Sequence, residues 1–138
     1  MHPGRTVAYW ILKTEPTTYS FDRLVKEKTA VWDGVTNPVA LKNIRAMQKG
    51  DELMIYHTGD EKAVVGHASV ASAPYADSKN EKLVVFDIRA GKALARPVTL
   101  AEIRAESAFK DMALVRMPRL SVVPASEAQW KKLLEMAG

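Results

Sequence analysis

The chain has 138 residues, a formal net charge of +4 and no cysteine, so it has no disulfide, no thiol nucleophile and no thiolate metal site. Its length is typical of one domain with one hydrophobic core, and hydrophobic and charged fractions of 47% and 26% exclude a wholly disordered chain. The basic balance permits attraction to phosphate without requiring it.

The first apolar run, over residues 7–12, is too short for the core of a signal peptide or for a membrane span. We therefore expect a cytoplasmic protein that does not associate with membranes. No linker or low-complexity tract interrupts the sequence, which predicts a single domain over residues 1–138 with a flexible N-terminus at residues 1–6.

The first predicted elements are a strand and a helix. Residues 7–13 are rich in β-forming side chains, and Pro16 ends that strand because proline cannot donate to a ladder. Ser20 is a typical N-cap for a helix over residues 21–28. The next segment, Val31-Trp32-Asp33-Gly34-Val35, is predicted to contain a turn.

A second helix is predicted to begin after Asn37, because asparagine is a favoured N-cap and Pro38 is tolerated at the first helical position. Apolar side chains recur at helical spacing as far as Met47, and Gly50 is expected to end the helix.

Three strands are predicted next, with turn residues between them, over residues 52–57, 64–71 and 83–90. Pro97 is expected to separate the third strand from a following helix. Consecutive strands with short turns favour antiparallel pairing. The sequence therefore predicts an α+β fold around a curved, mostly antiparallel sheet and disfavours a doubly wound parallel sheet.

The C-terminal part contains two capping boxes, Thr99 with Glu102 and Ser126 with Gln129. They predict a helix over residues 100–106 and a final helix that ends near residue 136, with a last strand between them over residues 120–123 that Pro124 closes.

The sequence contains no motif that indicates catalysis or metal binding. Its three histidines are not at the spacing of metal ligands, its glycines form no phosphate-binding loop, and no serine lies in a nucleophile elbow. We expect no metal and no cofactor, and we do not expect an enzyme.

Aromatic side chains at the ends of predicted elements are the most informative residues. Trp32 lies beside a turn glycine, which favours a pocket over the core. For Tyr56, at the end of a predicted strand, pocket and core are both open. Tyr9 and Trp10 on the first strand, and Trp130 on the last helix, have the spacing of core residues.

The motifs together identify a family. The segments that carry the resemblance are residues 9–16, 19–22, 31–35, 45–47, 50–51, 56–58, 65–66 and 118–122, followed by Pro124 and Trp130. In this order and spacing they resemble the EVE domain family, over nearly the whole chain. The resemblance implies a PUA-like fold, a small, mostly antiparallel β-barrel flanked by helices. It also implies a non-enzymatic module that binds nucleic acid and accommodates a flipped modified base, a modified cytosine in DNA or RNA.

Site residues follow from that expectation, because a base that leaves the stack needs an aromatic wall and partners for its polar edge. Trp32 is the predicted stacking wall, and Trp32→Ala is expected to weaken binding without disturbing the fold. Tyr56 is predicted as a second wall or a hydrogen-bonding group. The predicted partners for polar edges of the base are Thr14, Glu15, Asp33 and Asn37.

Basic residues are candidates for contact with the nucleic-acid backbone, and the candidates are Lys42, Arg45 and Arg119. A solvated face with ordinary charges explains them equally well. Two other functions stay open: a small nuclease or base hydrolase that uses the same pocket, and a module that binds a small molecule or another protein.

Overall fold

The computed structural model of the chain describes residues 7–138, so the predicted flexible segment at residues 1–6 lies outside the described part. The described chain forms seven strands, five α-helices and one 3₁₀ turn. In chain order these are β1 (Tyr9–Thr14), α1 (Phe21–Glu27), β2 (Thr29–Trp32), α2 (Pro38–Arg45), β3 (Glu52–His57), β4 (Ala63–Val70), β5 (Tyr75–Asp77), β6 (Asn80–Thr99), α3 (Leu100–Ala105), the 3₁₀ turn (Ser107–Phe109), α4 (Ala113–Arg116), β7 (Val122–Ala125) and α5 (Glu127–Met136).

One sheet organises the fold, with strand order β2-β6-β4-β3-β1-β7, and β5 pairs with β6 beside that path. Strands β1 and β3 are parallel, with Tyr9 opposite Glu52, and the other pairs are antiparallel. The predicted α+β class and the mostly antiparallel sheet are therefore confirmed.

The predicted closure of the sheet into a barrel is wrong. Strands β2 and β7 are the two ends of the strand order, and no pairing joins them within residues 7–138. Helix α2 follows β2 and packs against β6 and β7. Its Asn43 Nδ2 donates to the Val122 carbonyl at 2.8 Å, so a helix side chain meets the edge of β7 where a barrel would have a strand.

The hydrophobic core lies between the sheet and the helices, and its largest fully buried side chains include Phe86 and Phe109. Trp10 and Trp130 belong to this core, as the sequence predicts. Tyr9 is half-buried, and its ring stacks on Trp130 at a centroid distance of 4.8 Å.

The predicted caps of the helices are confirmed. The side chains of Ser20, Asn37, Thr99 and Ser126 each accept a hydrogen bond from the first turn of the helix that follows. Both capping boxes are complete. Capping depends on residues that are close in sequence, and the sequence therefore places these helix starts correctly.

Several predicted element ends are wrong for identifiable reasons. Helix α2 ends at Arg45, and Gly50 lies in the turn after it with φ of 96°. Pro97 and Pro124 lie inside β6 and β7 and do not close them. The β4–β6 pairing passes from Val98 to Ala93 through a bulge, so the missing N–H of Pro97 removes no ladder bond, and Pro124 lies on an edge strand.

Two strands are absent from the sequence prediction. Strand β2 covers the first part of the segment predicted as a turn, and β5 is a short strand of three residues. No helix within residues 7–138 has both the length and the apolar character needed to cross a membrane. The cytoplasmic location stays a prediction.

Candidate nucleic-acid interface

A cleft of about 570 Å³ opens where β1 and β2 end, beside the start of α2 and the turn before β7. We call it the first cleft, and the residues that define it are Thr14, Glu15, Tyr19, Trp32, Asp33 and Arg119. Asn37 also lines it. The structure thus brings together every polar-edge residue that the sequence predicts for the pocket, with the predicted stacking residue and one predicted backbone contact.

Trp32 ends β2 at the wall of the first cleft, and its side chain is only 8% exposed. Its indole N–H has no hydrogen-bond partner among residues 7–138. Every deeply buried side-chain donor in that part of the chain has a partner, so this N–H is reachable from solvent. Trp32 therefore combines an unpaired N–H that solvent can reach with a place in the cleft lining, and it exposes only a small part of its surface for stacking.

Trp32 also belongs to the hydrophobic core. Removing a buried tryptophan side chain costs roughly 3–5 kcal/mol. Contrary to the expectation from the sequence, we therefore expect Trp32→Ala to destabilise the fold.

Tyr19 is a cleft residue that the sequence analysis missed. Its ring meets the Trp32 ring edge to face, with centroids 6.2 Å apart and planes at 84°. The Tyr19 hydroxyl donates to Glu27 Oε1 at 2.6 Å, and the Arg23 guanidinium lies 5.0 Å from the ring centroid. Burial and the hydrogen bond to Glu27 raise the pKa of Tyr19 to about 12.

These contacts fix the Tyr19 ring against α1. The ring is half-buried. Its position in a polar segment between Pro16 and the helix cap Ser20 was the available signal, since an aromatic side chain in such a loop often lines a pocket.

Thr14 and Glu15 are held in place by neighbours. Thr14 Oγ1 donates to the Tyr19 carbonyl at 2.7 Å. The Glu15 carboxylate accepts hydrogen bonds from Thr17 Oγ1 at 3.2 Å and from Thr58 Oγ1 at 3.3 Å. These hydrogen bonds hold Thr14 Oγ1 and the Glu15 carboxylate in fixed positions, where both can accept hydrogen bonds from a ligand.

Asp33 and Arg119 are exposed side chains of opposite charge in the lining of the first cleft, and neither forms an ion pair or a side-chain hydrogen bond within residues 7–138. Gly34 follows Asp33 with φ of 77°, a conformation that favours glycine and turns the chain away from β2. The cleft can therefore pair both donors and acceptors of a polar ligand.

Asn37 is committed to capping α2. Its Oδ1 accepts from the backbone N–H groups of Val39 and Ala40 at 2.9 and 3.1 Å, and its carbonyl accepts from Leu41. Pro38 has no N–H. The start of α2 therefore directs no unpaired N–H toward the cleft, and Asn37 can offer a ligand only its Nδ2 donor.

Tyr56 does not face Trp32, and the predicted enclosure of one base between these two rings is wrong. Tyr56 lies opposite Lys13 in the parallel β1–β3 register and lines a separate cleft of about 510 Å³. We call this the second cleft, and the residues that define it are Lys13, Tyr56, Lys62, Leu100, Arg104 and Pro118. Lys13 lines both clefts.

Lys42 and Arg45 are exposed on α2 and line neither cleft. Their prediction as backbone contacts stays a prediction.

His57 connects the end of β3 to α1. Its Nε2 accepts from the Phe21 backbone N–H at 3.0 Å, so the ring proton is on Nδ1, which donates to Glu61 Oε1 at 2.8 Å. This bond fixes the first residue of α1, two positions after Tyr19. Within residues 7–138, no group of three or more His, Asp and Glu side chains is arranged to hold a metal ion.

The fold and the first cleft define a small α+β domain with a polar, aromatic-edged ligand cleft at its strand ends. The sequence matches the family model of the EVE domain over residues 8–136, and the chain belongs to the EVE domain family. The resemblance found in the sequence is thus confirmed.

Known relatives are similar over nearly the whole chain. Thymocyte nuclear protein 1 of Mus musculus is 27% identical over 164 residues, which cover 93% of this chain and 73% of the relative. An NMR structure of a protein from Rhodopseudomonas palustris is 40% identical with a TM-score of 0.91, covering 96% of this chain and 94% of that one.

Human THYN1 has been solved in complex with 5-methylcytosine containing DNA. That structure is 23% identical to this chain with a TM-score of 0.87, covering 94% of this chain and 97% of the human one. At this identity the likeness shows a shared fold.

Proposed function

We propose that the chain binds nucleic acid and holds one flipped-out base, a modified cytosine, in the first cleft. The observation that carries the proposal is the composition of this cleft. It combines the open indole N–H of Trp32, the half-buried ring of Tyr19 and the unpaired carboxylate of Asp33 in about 570 Å³.

These groups complement a cytosine ring. The exocyclic amine of cytosine donates hydrogen bonds that a carboxylate accepts, which suits Asp33. The ring also carries acceptors, which suit the Trp32 N–H. Extruding a base from a duplex costs a few kcal/mol, and contact with an aromatic ring returns about 1–3 kcal/mol. The Tyr19 ring supplies that contact, and the polar groups supply the discrimination.

The human relative supports the choice of ligand, because that protein was solved with DNA that contains 5-methylcytosine. DNA with this modification is the first probe to test, and RNA with the same modified base is the second. The proposal places the nucleic-acid backbone near Arg119 at the rim of the cleft.

The experiment compares Asp33→Asn with wild type on matched oligonucleotides that carry cytosine or 5-methylcytosine at one position, as DNA and as RNA. A hydrogen bond to a charged group contributes about 1.5–3 kcal/mol, so we expect Asp33→Asn to weaken binding of the modified DNA by roughly tenfold or more. Fluorescence anisotropy measures the dissociation constants.

Asp22→Asn is the matched control, because Asp22 is also exposed but lies on α1 outside the cleft lining. Trp32→Phe is the second informative variant, since it keeps an aromatic ring in the core and removes the N–H. The proposal is wrong if wild type binds modified and unmodified oligonucleotides equally and neither Asp33→Asn nor Trp32→Phe changes these dissociation constants.

We also propose that the chain binds without catalysing a reaction. In support of this, Thr17 and Thr58 hold the Glu15 carboxylate as an acceptor and leave it poorly placed to move a proton. The same labelled oligonucleotides, incubated with wild type and recovered on a denaturing gel, should be intact. Cleavage or base loss that disappears in Asp33→Asn would establish an enzyme.

A further inference from the structure

We propose that the second cleft binds the nucleotide adjacent to the held base, with the backbone phosphate against Lys13 and Arg104 and the sugar on an apolar floor. This inference rests on the proposed function of the first cleft and extends it from a base to a dinucleotide.

The two clefts share a wall. Lys13 lines both of them, and the turn before β7 contributes Pro118 to the second cleft and Arg119 to the first. At the other end of the wall, the Thr58 N–H donates to the Thr14 carbonyl at 2.9 Å. A nucleic-acid strand that places one base in the first cleft therefore reaches the second cleft by passing over Lys13.

The Lys13 ammonium is on the side of the second cleft. Its Nζ donates to the Pro118 carbonyl at 2.9 Å and lies 5.7 Å from the centroid of the Tyr56 ring. An ammonium carries three donors, and this contact uses one of them. Two donors are left for an anionic oxygen.

Arg104 and Lys62 add two cations to the second cleft, and neither forms an ion pair or a side-chain hydrogen bond within the described chain. Two acids, Asp60 and Glu61, also line it, which leaves a formal excess of one positive charge. The Glu61 carboxylate is bound to His57 Nδ1. This balance suits a single phosphodiester better than a multiply charged anion.

The rest of the lining suits a sugar and one hydrogen-bonding oxygen. The apolar part comes from Leu100, Leu114 and Pro118. Tyr56 is 4% exposed, and its hydroxyl has no partner among residues 7–138. Deeply buried side-chain donors in this part of the chain are all paired, so solvent reaches the hydroxyl, and because Tyr56 lines the second cleft we assign this hydroxyl as a donor to a phosphate oxygen.

The experiment is a double-mutant cycle between protein and ligand. The ligand is a single-stranded DNA with a central 5-methylcytosine, and a neutral methylphosphonate replaces the phosphate on its 5′ side or on its 3′ side. The proteins are wild type, Arg104→Gln and the control Arg89→Gln. Arg89 is an exposed arginine on β6 that lines neither cleft, and its change alters the net charge equally.

We expect one of the two methylphosphonates to weaken binding to wild type by about tenfold, roughly 1.4 kcal/mol. The same replacement should cost less than about twofold in Arg104→Gln, while Arg89→Gln retains the full penalty. Lys62→Gln provides a second test from another element. Circular dichroism establishes that each variant is folded.

The inference is overturned if each methylphosphonate weakens binding to Arg104→Gln as much as it weakens binding to wild type, on both sides of the base. Lys62→Gln would then also show the same loss of affinity as wild type. The proposed function survives that result if wild type still prefers the modified base and Asp33→Asn still weakens binding of the modified DNA. A free nucleoside monophosphate that binds as tightly as the oligonucleotide, with equal dependence on Arg104, would also overturn it, because the second cleft would then be a separate small-molecule site.

Discussion

Asp51 offers the sharpest test of what holds the domain together. Its carboxylate is 2% exposed and accepts three hydrogen bonds. The donors are the Ala8 backbone N–H at 3.2 Å, the Trp10 indole N–H at 3.1 Å and the Gln48 backbone N–H at 3.0 Å. One side chain thus joins the start of β1, the core and the turn after α2.

The cost of Asp51→Ala follows from these donors. The indole N–H is buried, and leaving it unpaired costs about 1–3 kcal/mol. The two backbone N–H groups are partly buried, and losing each bond costs about 0.5–1.5 kcal/mol. The total is roughly 2–6 kcal/mol, a large share of the 5–15 kcal/mol that is typical of a domain.

Urea unfolding at neutral pH measures this cost. With a slope of about 1.5 kcal/mol/M, a loss of about 4 kcal/mol lowers the midpoint by about 2.7 M. Asp51→Asn should cost less, roughly 1–3 kcal/mol, because its amide oxygen can keep the bonds from Trp10 and Gln48 while its NH₂ faces the Ala8 N–H.

Asp111→Ala is the control, since that carboxylate is exposed and its only ion pair spans 3.9 Å within residues 7–138; we expect a change within about 0.5 kcal/mol. A stability for Asp51→Ala within about 1 kcal/mol of wild type, at an unchanged slope, would refute this account of the carboxylate.

Two further predictions concern a charged surface pair and a close contact in the core. Hydrogen bonds from Arg96 and Thr99 lower the pKa of Glu102 to about 2, so its stabilising contribution is present above the ordinary value of about 4.3 and disappears as the pH falls through about 2. In a calorimetric pH series, the difference in melting temperature between wild type and Glu102→Gln should therefore be constant near neutral pH. It should shrink and disappear as the pH falls from about 4 to about 2. A Cβ at Gly66 would lie 2.3 Å from the buried ring of Phe21, so Gly66→Ala should destabilise the fold by roughly 1–3 kcal/mol in urea, and Phe21→Leu in the same chain should recover part of that loss. A cost for Gly66→Ala that Phe21→Leu does not reduce would show that the ring is not the obstacle.

The sequence was a good guide wherever the deciding interaction is local. A cap such as Asn37 depends on the next three residues, and the boundaries of β3 are marked by turn residues on both sides. Family resemblance added the expectation of a PUA-like fold to the α+β class that the order of elements predicts. It also suggested a barrel, because a likeness in motifs does not specify whether a strand or a helix such as α2 covers the edge of β7.

The aromatic side chains that line the first cleft could not all be predicted from the sequence. Tyr56 and Tyr19 are both aromatic residues near the ends of elements, and only strand register decides which one lies beside Trp32. The parallel pairing of β1 with β3 puts Tyr56 opposite Lys13, and its side chain lines the second cleft, whose lining does not include Trp32. Tyr19 reaches Trp32 through the loop before α1. The pairing of β2 with the distant β6 is likewise invisible to local patterns.

The position of β1 has a consequence for how the cleft comes into being. It is the first strand of the described chain, yet one of its two neighbours is β7, with Tyr9 opposite Ala125. Contacts between segments so far apart in the chain form slowly. The same C-terminal stretch carries Arg119 and Ser121, which complete the wall of the first cleft. The wall of the first cleft is therefore completed only when the C-terminal stretch has folded back and β7 has paired with β1.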